Sequence, residues 1–263
     1  MSIQFIKRGG GGGFPPDWSE IGYEETPSSV IDNFNYAKDI KDNWDSSITK
    51  MTSKYRADVN LYFFPLVDTS NVTDMRETFY ASALTNIALI DTSNVTTMNK
   101  TFYSCTRLKT IPLLNTDNVT NMGSTFYNCQ RLLNIPLINT SSATRMDEMF
   151  RGCGELISIP ELNTENVSNF SYCFYGCTKL KDVPVFNVNS VSGGGFTTMF
   201  GNCPSLTDES LNNILQMCIN AVNITQAAYK TLSAIGLSQT QAEICETLPN
   251  YQAFIDAGWT IGY

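Results

Sequence analysis

Cysteine combines the most regular spacing in this sequence with the most reactive side chain. Cys105, Cys129, Cys153 and Cys177 follow one another at intervals of 24 residues, and Cys203 continues the series. Such thiols could hold a metal ion, form a redox pair or lie in a buried row. Because no Cys-x-x-Cys pair occurs, burial as small apolar side chains is favoured over a metal site. We therefore predict a row of buried thiols and no metal ligands.

Groups for acid–base catalysis are scarce. The chain has no histidine, which removes the commonest general base and the commonest metal ligand. The adjacent carboxylates Asp147 and Glu148 occur in one repeat only, and we expect them to lie as a solvated pair on a short exposed helix. The sequence thus offers no catalytic and no cofactor-binding residues, and we expect a protein that is not an enzyme.

The charge balance bears on the kind of partner. Acids outnumber bases by 25 to 17, which gives a net charge of -8 and disfavours binding to nucleic acid or to an anionic bilayer. Residues 234–245 resemble a helix-turn-helix, but residues 204–263 contain a single base, so a reader of DNA is rejected. No stretch is long and apolar enough for a membrane span, and no secretory signal is recognised.

The element that positions these side chains is a repeat. Segments that begin at Asp68, Asp91, Asn115, Asn139 and Asn163 superimpose almost without gaps, and a degenerate copy on each side brings the count to about seven turns. Fixed columns hold leucine, isoleucine, valine, methionine and phenylalanine. One repeat cannot bury so many apolar side chains alone, so neighbouring repeats must stack.

Each repeat reads as two short elements. The segment L-x-x-I-P-x-L, as in residues 156–162, indicates a short strand in a parallel sheet, with its proline at a strand end or bulge. The segment from Met122 to Cys129 spaces methionine and phenylalanine four apart, which suits a short helix. The predicted fold is an α/β solenoid, a leucine-rich-repeat-like stack of about seven 24-residue turns with helical caps.

An Asp-Thr or Asn-Thr pair opens most repeats. Such side chains bond to their own backbone, so the pattern predicts a row of turns. Two alternatives are a flat threonine array that faces water or ice, and glycosylation at Asn71, Asn94 and Asn118. The repeat accounts for both patterns better.

The chain divides into four parts: a glycine-rich arm (1–18), a helical cap (19–44), the repeats (45–206) and a helical C-terminal cap (207–263). The glycines at 9–13 form a flexible tether, and Ile3, Phe5 and Ile6 before it are candidate anchors on a partner assembly. Thr26 and Pro27 begin the first cap helix, which extends to Trp44.

Helical signals return in the C-terminal cap. One helix begins near Asp208, and a second extends from about Thr225 to Ile235 and ends at Gly236. Ser238 and Gln241 form a capping-box pattern that opens a third helix, and a fourth covers residues 251–257.

The outward residues of the repeats are the candidate binding surface. A tyrosine column holds Tyr80, Tyr103, Tyr127 and Tyr175, and Arg151 replaces tyrosine once. Tyrosine is favoured at interfaces because it is apolar with a polar tip. Packing of these rings between helix and sheet is an equal alternative.

The N-V-T-x-M, F-Y-x-C and L-x-x-I-P-x-L blocks over residues 45–206 resemble those of BspA-like leucine-rich repeat proteins of bacterial surfaces. The resemblance implies adhesion or protein binding and brings no catalytic residues. The flanks at 15–23 and 257–263 resemble repeat proteins encoded in phages and prophages of gut bacteria. Together they imply a phage virion-associated tail-fibre or head-decoration protein that binds a protein or glycan; the alternative is a host-encoded surface adhesion protein. Ligand and oligomeric state stay open.

Overall fold

The structure, a computed structural model, describes residues 27–262, with side chains described from Asp32 onward. The elements in chain order are α1 (Pro27–Asp42), β1 (Phe63–Phe64), β2 (Asn86–Ile87), α2 (Asp208–Asn220), a 3-10 helix (Ala227–Tyr229), α3 (Leu232–Ile235), α4 (Gln239–Cys245) and α5 (Tyr251–Asp256). The repeats therefore lie between a helix on one side and a group of short helices on the other.

Successive repeats pair in parallel, each with the next in the chain. β1 and β2 pair with Phe63 opposite Asn86. A row of single parallel bridges joins six repeats at the residue before the methionine column, which holds Phe170 in the last of them: Lys50–Asp74, Asp74–Thr97, Thr97–Asn121, Asn121–Arg145 and Arg145–Asn169.

Regular strands occur in only two of the described L-x-x-I-P-x-L segments, although one strand was predicted for each repeat. In β2 the residue at the proline position is Ala88, and its N–H donates to the carbonyl of Phe64 at 2.9 Å. Later repeats have proline at this position, as at Pro112 and Pro136, and proline has no N–H to donate. The ladder is therefore interrupted in those repeats.

The predicted short helix in each repeat is wrong, since the segment from Met122 to Cys129 forms consecutive turns. Alternate N–H groups donate to the next repeat rather than back along their own chain: Met122 to the carbonyl of Arg145 (3.0 Å) and Phe126 to that of Met149 (2.9 Å). This pattern requires a left-handed backbone at Ser124 (φ 53°) and Asn128 (φ 56°), which a right-handed helix excludes.

The repeats share one continuous apolar core. The valine, methionine, leucine and isoleucine columns are buried as predicted. The phenylalanine column forms a stack in which neighbouring rings, such as Phe102 and Phe126, lie 5.4 Å apart and nearly parallel. Its stacked members are Phe79, Phe102, Phe126, Phe150, Phe174 and Phe200.

The Asp-Thr and Asn-Thr pairs form the predicted row of turns. The carboxylate of Asp91 accepts the N–H of Ser93 at 2.8 Å, and the hydroxyl of Thr92 donates to the carbonyl of Asn115 in the next repeat at 2.7 Å. The threonine is buried, so the alternative of a water-facing array is wrong. In the asparagine column, Asn94 Nδ2 donates to the carbonyl of Ser70 in the preceding repeat at 2.8 Å.

Among the described residues, the caps follow the sequence signals with two exceptions. The first helix ends at Asp42 rather than near Trp44, and one C-terminal helix is split; the predicted N-cap Thr26 lies outside the described residues. Thr207 caps α2 by accepting the N–H of Ser210, and the predicted capping box of Ser238 and Gln241 is present. The predicted helix from Thr225 to Ile235 is instead split, because Thr231 is extended and caps a new helix, α3. Gly236 then ends α3 with φ 97°.

Candidate binding surface

The tyrosine column is a continuous stack on the outside of the repeats. Each tyrosine follows a phenylalanine of the core, so its side chain emerges next to the core and is half-buried. The rings of Tyr80 and Tyr103 are 4.5 Å apart with an angle of 2°, and those of Tyr103 and Tyr127 are 4.3 Å apart with an angle of 5°. The structure thus brings these predicted site residues together through their ring faces.

Arginine side chains occupy this column where tyrosine is missing. The guanidinium of Arg56 lies 4.0 Å from the centre of the Tyr80 ring and pairs with Glu77. Arg151 lies 5.5 Å from the Tyr127 ring and 5.0 Å from the Tyr175 ring. A cation over an aromatic face is attracted by the ring quadrupole, so arginine continues the stack. We call Arg56, Tyr80, Tyr103, Tyr127, Arg151 and Tyr175 the Tyr–Arg column.

A glycine leaves room for the last ring. A Cβ atom on Gly201, which occupies the same column in the following repeat, would lie 2.7 Å from Cδ2 of Tyr175 and 2.6 Å from Cγ2 of Thr198. These distances are shorter than carbon–carbon contact. Gly201 therefore permits Tyr175 to rest on the end of the column.

Backbone hydrogen bonds hold the column in register. The carbonyls of Tyr103, Tyr127 and Arg151 each accept an N–H from the preceding repeat at 2.6 Å. The residues beside the column are small or polar and include Ser104, Ser124, Asn128, Gly152 and Gly176. This surface therefore combines rigid tyrosine and arginine side chains with serine, asparagine and glycine around them. Antibody binding sites are enriched in the same residue types.

Two adjacent carboxylates near the column form ion pairs within the molecule. Glu148 accepts from Arg151 at 2.8 Å, whereas Asp147 accepts from Arg145 at 2.9 Å. The predicted solvated pair on a helix is therefore wrong: the backbone here is a turn, and the two carboxylates belong to separate ion pairs. Burial and the hydrogen bond with Tyr127 raise the pKa of the Tyr103 phenol to about 12.

The cysteine column is buried and unpaired, as predicted. Each thiol donates to the carbonyl of a phenylalanine in the preceding repeat, as Cys129 does to Phe102 and Cys153 to Phe126, both at 3.1 Å. Burial raises the pKa of Cys105 and of Cys153 to about 12. The thiols are thus neutral donors that link the repeats, a role beyond the predicted filling of space.

Other sites for chemistry are few in the described part of the chain. Within residues 27–262 no group of three His, Cys, Asp or Glu side chains could hold a metal ion. A cavity of about 10 Å³ lies in the core against Met98, Phe126 and Met149. No helix among the described residues is long and apolar enough to cross a membrane. The candidate anchors Ile3, Phe5 and Ile6 lie outside the described residues.

Sequence reasoning missed an exposed apolar column one residue before the last core position of each repeat. Its members are 39–64% exposed: Leu66, Leu89, Leu113, Leu137 and Val185. We call these five residues the outer leucine column. One repeat has Glu161 at this position. A charged side chain is rarely buried, so Glu161 could have indicated that the whole column is exposed.

The fold and this surface define a repeat protein. Its units pair edge to edge, and successive units place aromatic or arginine side chains in one column on the outside. The chain belongs to the family described as Mycoplasma protein of unknown function, DUF285, whose model matches residues 28–135, 65–156 and 132–234. This match agrees with the resemblance of the repeats to BspA-like repeat surface proteins. Among curated proteins, none matches the chain.

Proposed function

We propose that this protein is a non-enzymatic binding module that recognises a protein or glycan through the Tyr–Arg column. The observation that carries the proposal is the continuity of that column, in which rings 4.3–4.5 Å apart are bracketed by guanidinium groups. The faces of the stacked rings are used within the molecule, so a partner would contact ring edges, hydroxyls and the neighbouring polar side chains.

The column suits binding because its conformation is already fixed. Stacking restricts each ring, and hydrogen bonds at 2.6 Å fix the backbone beneath it. Binding to a preorganised surface avoids much of the entropy cost of ordering side chains. Differences between repeats, such as Arg151 in place of tyrosine, would give the surface its specificity.

For the setting in which this binding occurs, we propose a phage virion, with the protein as part of a tail fibre or head decoration. The resemblance of residues 15–23 and 257–263 to phage-encoded repeat proteins supports this placement. Residues 1–18 would attach the module to the particle through Ile3, Phe5 and Ile6. The alternative is a host-encoded adhesion or interaction protein of the bacterial surface, which the BspA-like character of the repeats favours.

Binding is tested with fluorescently labelled full-length protein and intact cells of a panel of gut bacteria, together with a glycan array. The triple variant Tyr103→Ser, Tyr127→Ser and Tyr175→Ser removes three rings of the column, and we expect it to lose at least 10-fold in affinity, or about 1.4 kcal/mol. The matched control is Thr73→Ala, Thr96→Ala and Thr120→Ala, another exposed column. Equal binding by the two folded triple variants would overturn the proposal.

The setting is tested with an antibody against this chain on purified particles from an induced lysogenic culture and on washed producing cells. The virion proposal predicts that the chain co-sediments with particles that contain DNA. Signal confined to the cell surface would favour the host-encoded alternative. Deletion of residues 1–8 should release the chain from particles without changing its affinity for cells.

A further inference from the structure

The outer leucine column is part of a broader apolar ribbon. Leu66, Leu89 and Leu113 are each 60% exposed and Leu137 is 64% exposed. Leu133 (41%) and Ile157 (46%) lie four residues before the column and widen the ribbon in their two repeats. The same position holds Lys109 and Lys181 in two other repeats, where it belongs to the charged edge. Contiguous exposed apolar surface of this kind is rare on monomeric proteins and marks sites of association.

Charges on the two sides of the ribbon have opposite signs. The side that precedes it in each repeat carries a basic rim of Arg107, Lys109, Arg131, Lys179 and Lys181, with Glu155 and Asp182 as its acids. The side that follows it carries an acidic rim of Asp68, Asp91, Asp117 and Glu165 and no base. The ribbon thus lies between a positive and a negative edge in a chain whose net charge is -8.

This arrangement is complementary to itself. When two copies face each other across a two-fold axis parallel to the direction of repeat stacking, the basic rim of each meets the acidic rim of the other. A two-fold axis across the stack would instead place like charges together. In an isologous contact the same patch serves both copies, and the apolar ribbons then meet between the rims.

We propose that a second copy of this chain binds the leucine ribbon, and that the protein is a two-fold dimer with its two stacks of repeats parallel. The contact uses a different segment of each repeat from the Tyr–Arg column. A dimer therefore carries two copies of that column, which would increase avidity for a ligand displayed repeatedly on a surface.

The mass of the full chain is measured by sedimentation velocity up to about 100 μM, where an interface of micromolar affinity is saturated. We expect twice the chain mass of 29.2 kDa. Leu89→Glu with Leu113→Glu places two charges in the ribbon and should raise the dissociation constant by at least about 100-fold. The control is Val222→Glu, since Val222 is 71% exposed and outside the ribbon. Conversely, Glu161→Leu completes the column and should tighten the dimer.

Charge reversal tests the pairing of the rims. Variant A carries Arg107→Glu, Lys109→Glu and Arg131→Glu, and variant B carries Asp117→Lys and Glu165→Lys, the two rim acids whose carboxylates accept no turn N–H. Each alone should be largely monomeric because fewer opposite charges meet across the axis, whereas an equimolar mixture should dimerise. The proposal would be overturned if the full chain were monomeric at about 100 μM. It would also be overturned if the double-glutamate variant and Val222→Glu dimerised with equal affinity. A mixture that remains monomeric would overturn the pairing of opposite rims.

Discussion

The rings of Tyr103 and Tyr127 lie parallel at 4.3 Å although they are 24 residues apart in the chain. Their closeness follows from the register of the repeats, because the N–H of Ser104 beside Tyr103 donates to the carbonyl of Tyr127 at 2.6 Å. The same register that forms the core therefore forms the outer aromatic column. Under the proposed function, stability and recognition are therefore coupled.

Replacement of Tyr127 measures how far the column stabilises the fold. Tyr127→Ser removes the contacts with Tyr103 and with Arg151, and we expect a loss of about 1–3 kcal/mol in the free energy of unfolding. Tyr127→Phe keeps the ring and should lose less than about 0.5 kcal/mol. Urea unfolding provides both values, and equal values for the two variants would show that the stacking is not stabilising.

Buried thiols make stability depend on pH in the alkaline range. The pKa of Cys153 is raised to about 12 in the folded protein, against about 8.5 in an unfolded chain. The contribution of this neutral thiol to the free energy of unfolding is complete below about pH 8.5. It is lost as pH rises toward 12, by about 1.4 kcal/mol per pH unit. Urea midpoints measured from pH 7 to pH 9.5 should fall, and the slope should be smaller in Cys153→Ser. A flat profile would contradict burial of neutral thiols.

Thr116 tests the hydrogen bonds that join the turns. Its buried hydroxyl donates to the carbonyl of Asn139 at 2.6 Å, so Thr116→Val leaves that carbonyl without this donor and should cost about 1–3 kcal/mol. Thr120 donates to the carbonyl of Thr96 at an exposed position, and Thr120→Val should cost less than about 0.5 kcal/mol. Equal melting temperatures of the two variants in calorimetry would show that the buried hydrogen bond of Thr116 is no more stabilising than the exposed one of Thr120.

Gly201 tests the packing at the end of the Tyr–Arg column. Gly201→Ala introduces a Cβ 2.7 Å from the Tyr175 ring, and the resulting clash should cost about 1–3 kcal/mol. At Gly154 the closest atom to an added Cβ is Oγ1 of Thr178 at 3.5 Å, so Gly154→Ala is the matched control. If both variants unfold at the same urea concentration, Tyr175 does not occupy the position described.

The core columns, the turns and most of the caps could be predicted from the sequence because each depends on local chemistry repeated at a fixed period. The backbone of the Met122–Cys129 segment could not. Its methionine–phenylalanine spacing fits a helix, and only pairing with the next repeat makes the left-handed backbone at Ser124 and Asn128 favourable.

For the candidate site, sequence spacing identified Tyr80, Tyr103, Tyr127, Arg151 and Tyr175 as one column but gave no distances between them. It missed Arg56, which follows Tyr55 in the degenerate first repeat, because an arginine at one end of a tyrosine column gives no sequence sign that it stacks on the next ring. The outer leucine column was also missed, because leucine in an apolar segment is indistinguishable by type from its buried neighbour. Leu113 is 60% exposed and Leu114 is 3% exposed, although they are adjacent.

The most direct test of the Tyr–Arg column as the recognition surface is site-specific photo-crosslinking on intact cells. A benzophenone amino acid is placed in separate proteins at Tyr127, in the column, and at Thr120, exposed elsewhere on the same repeat. We predict a discrete crosslinked product from Tyr127 and none from Thr120. Products from Thr120 alone, or equal products from both positions, would contradict it.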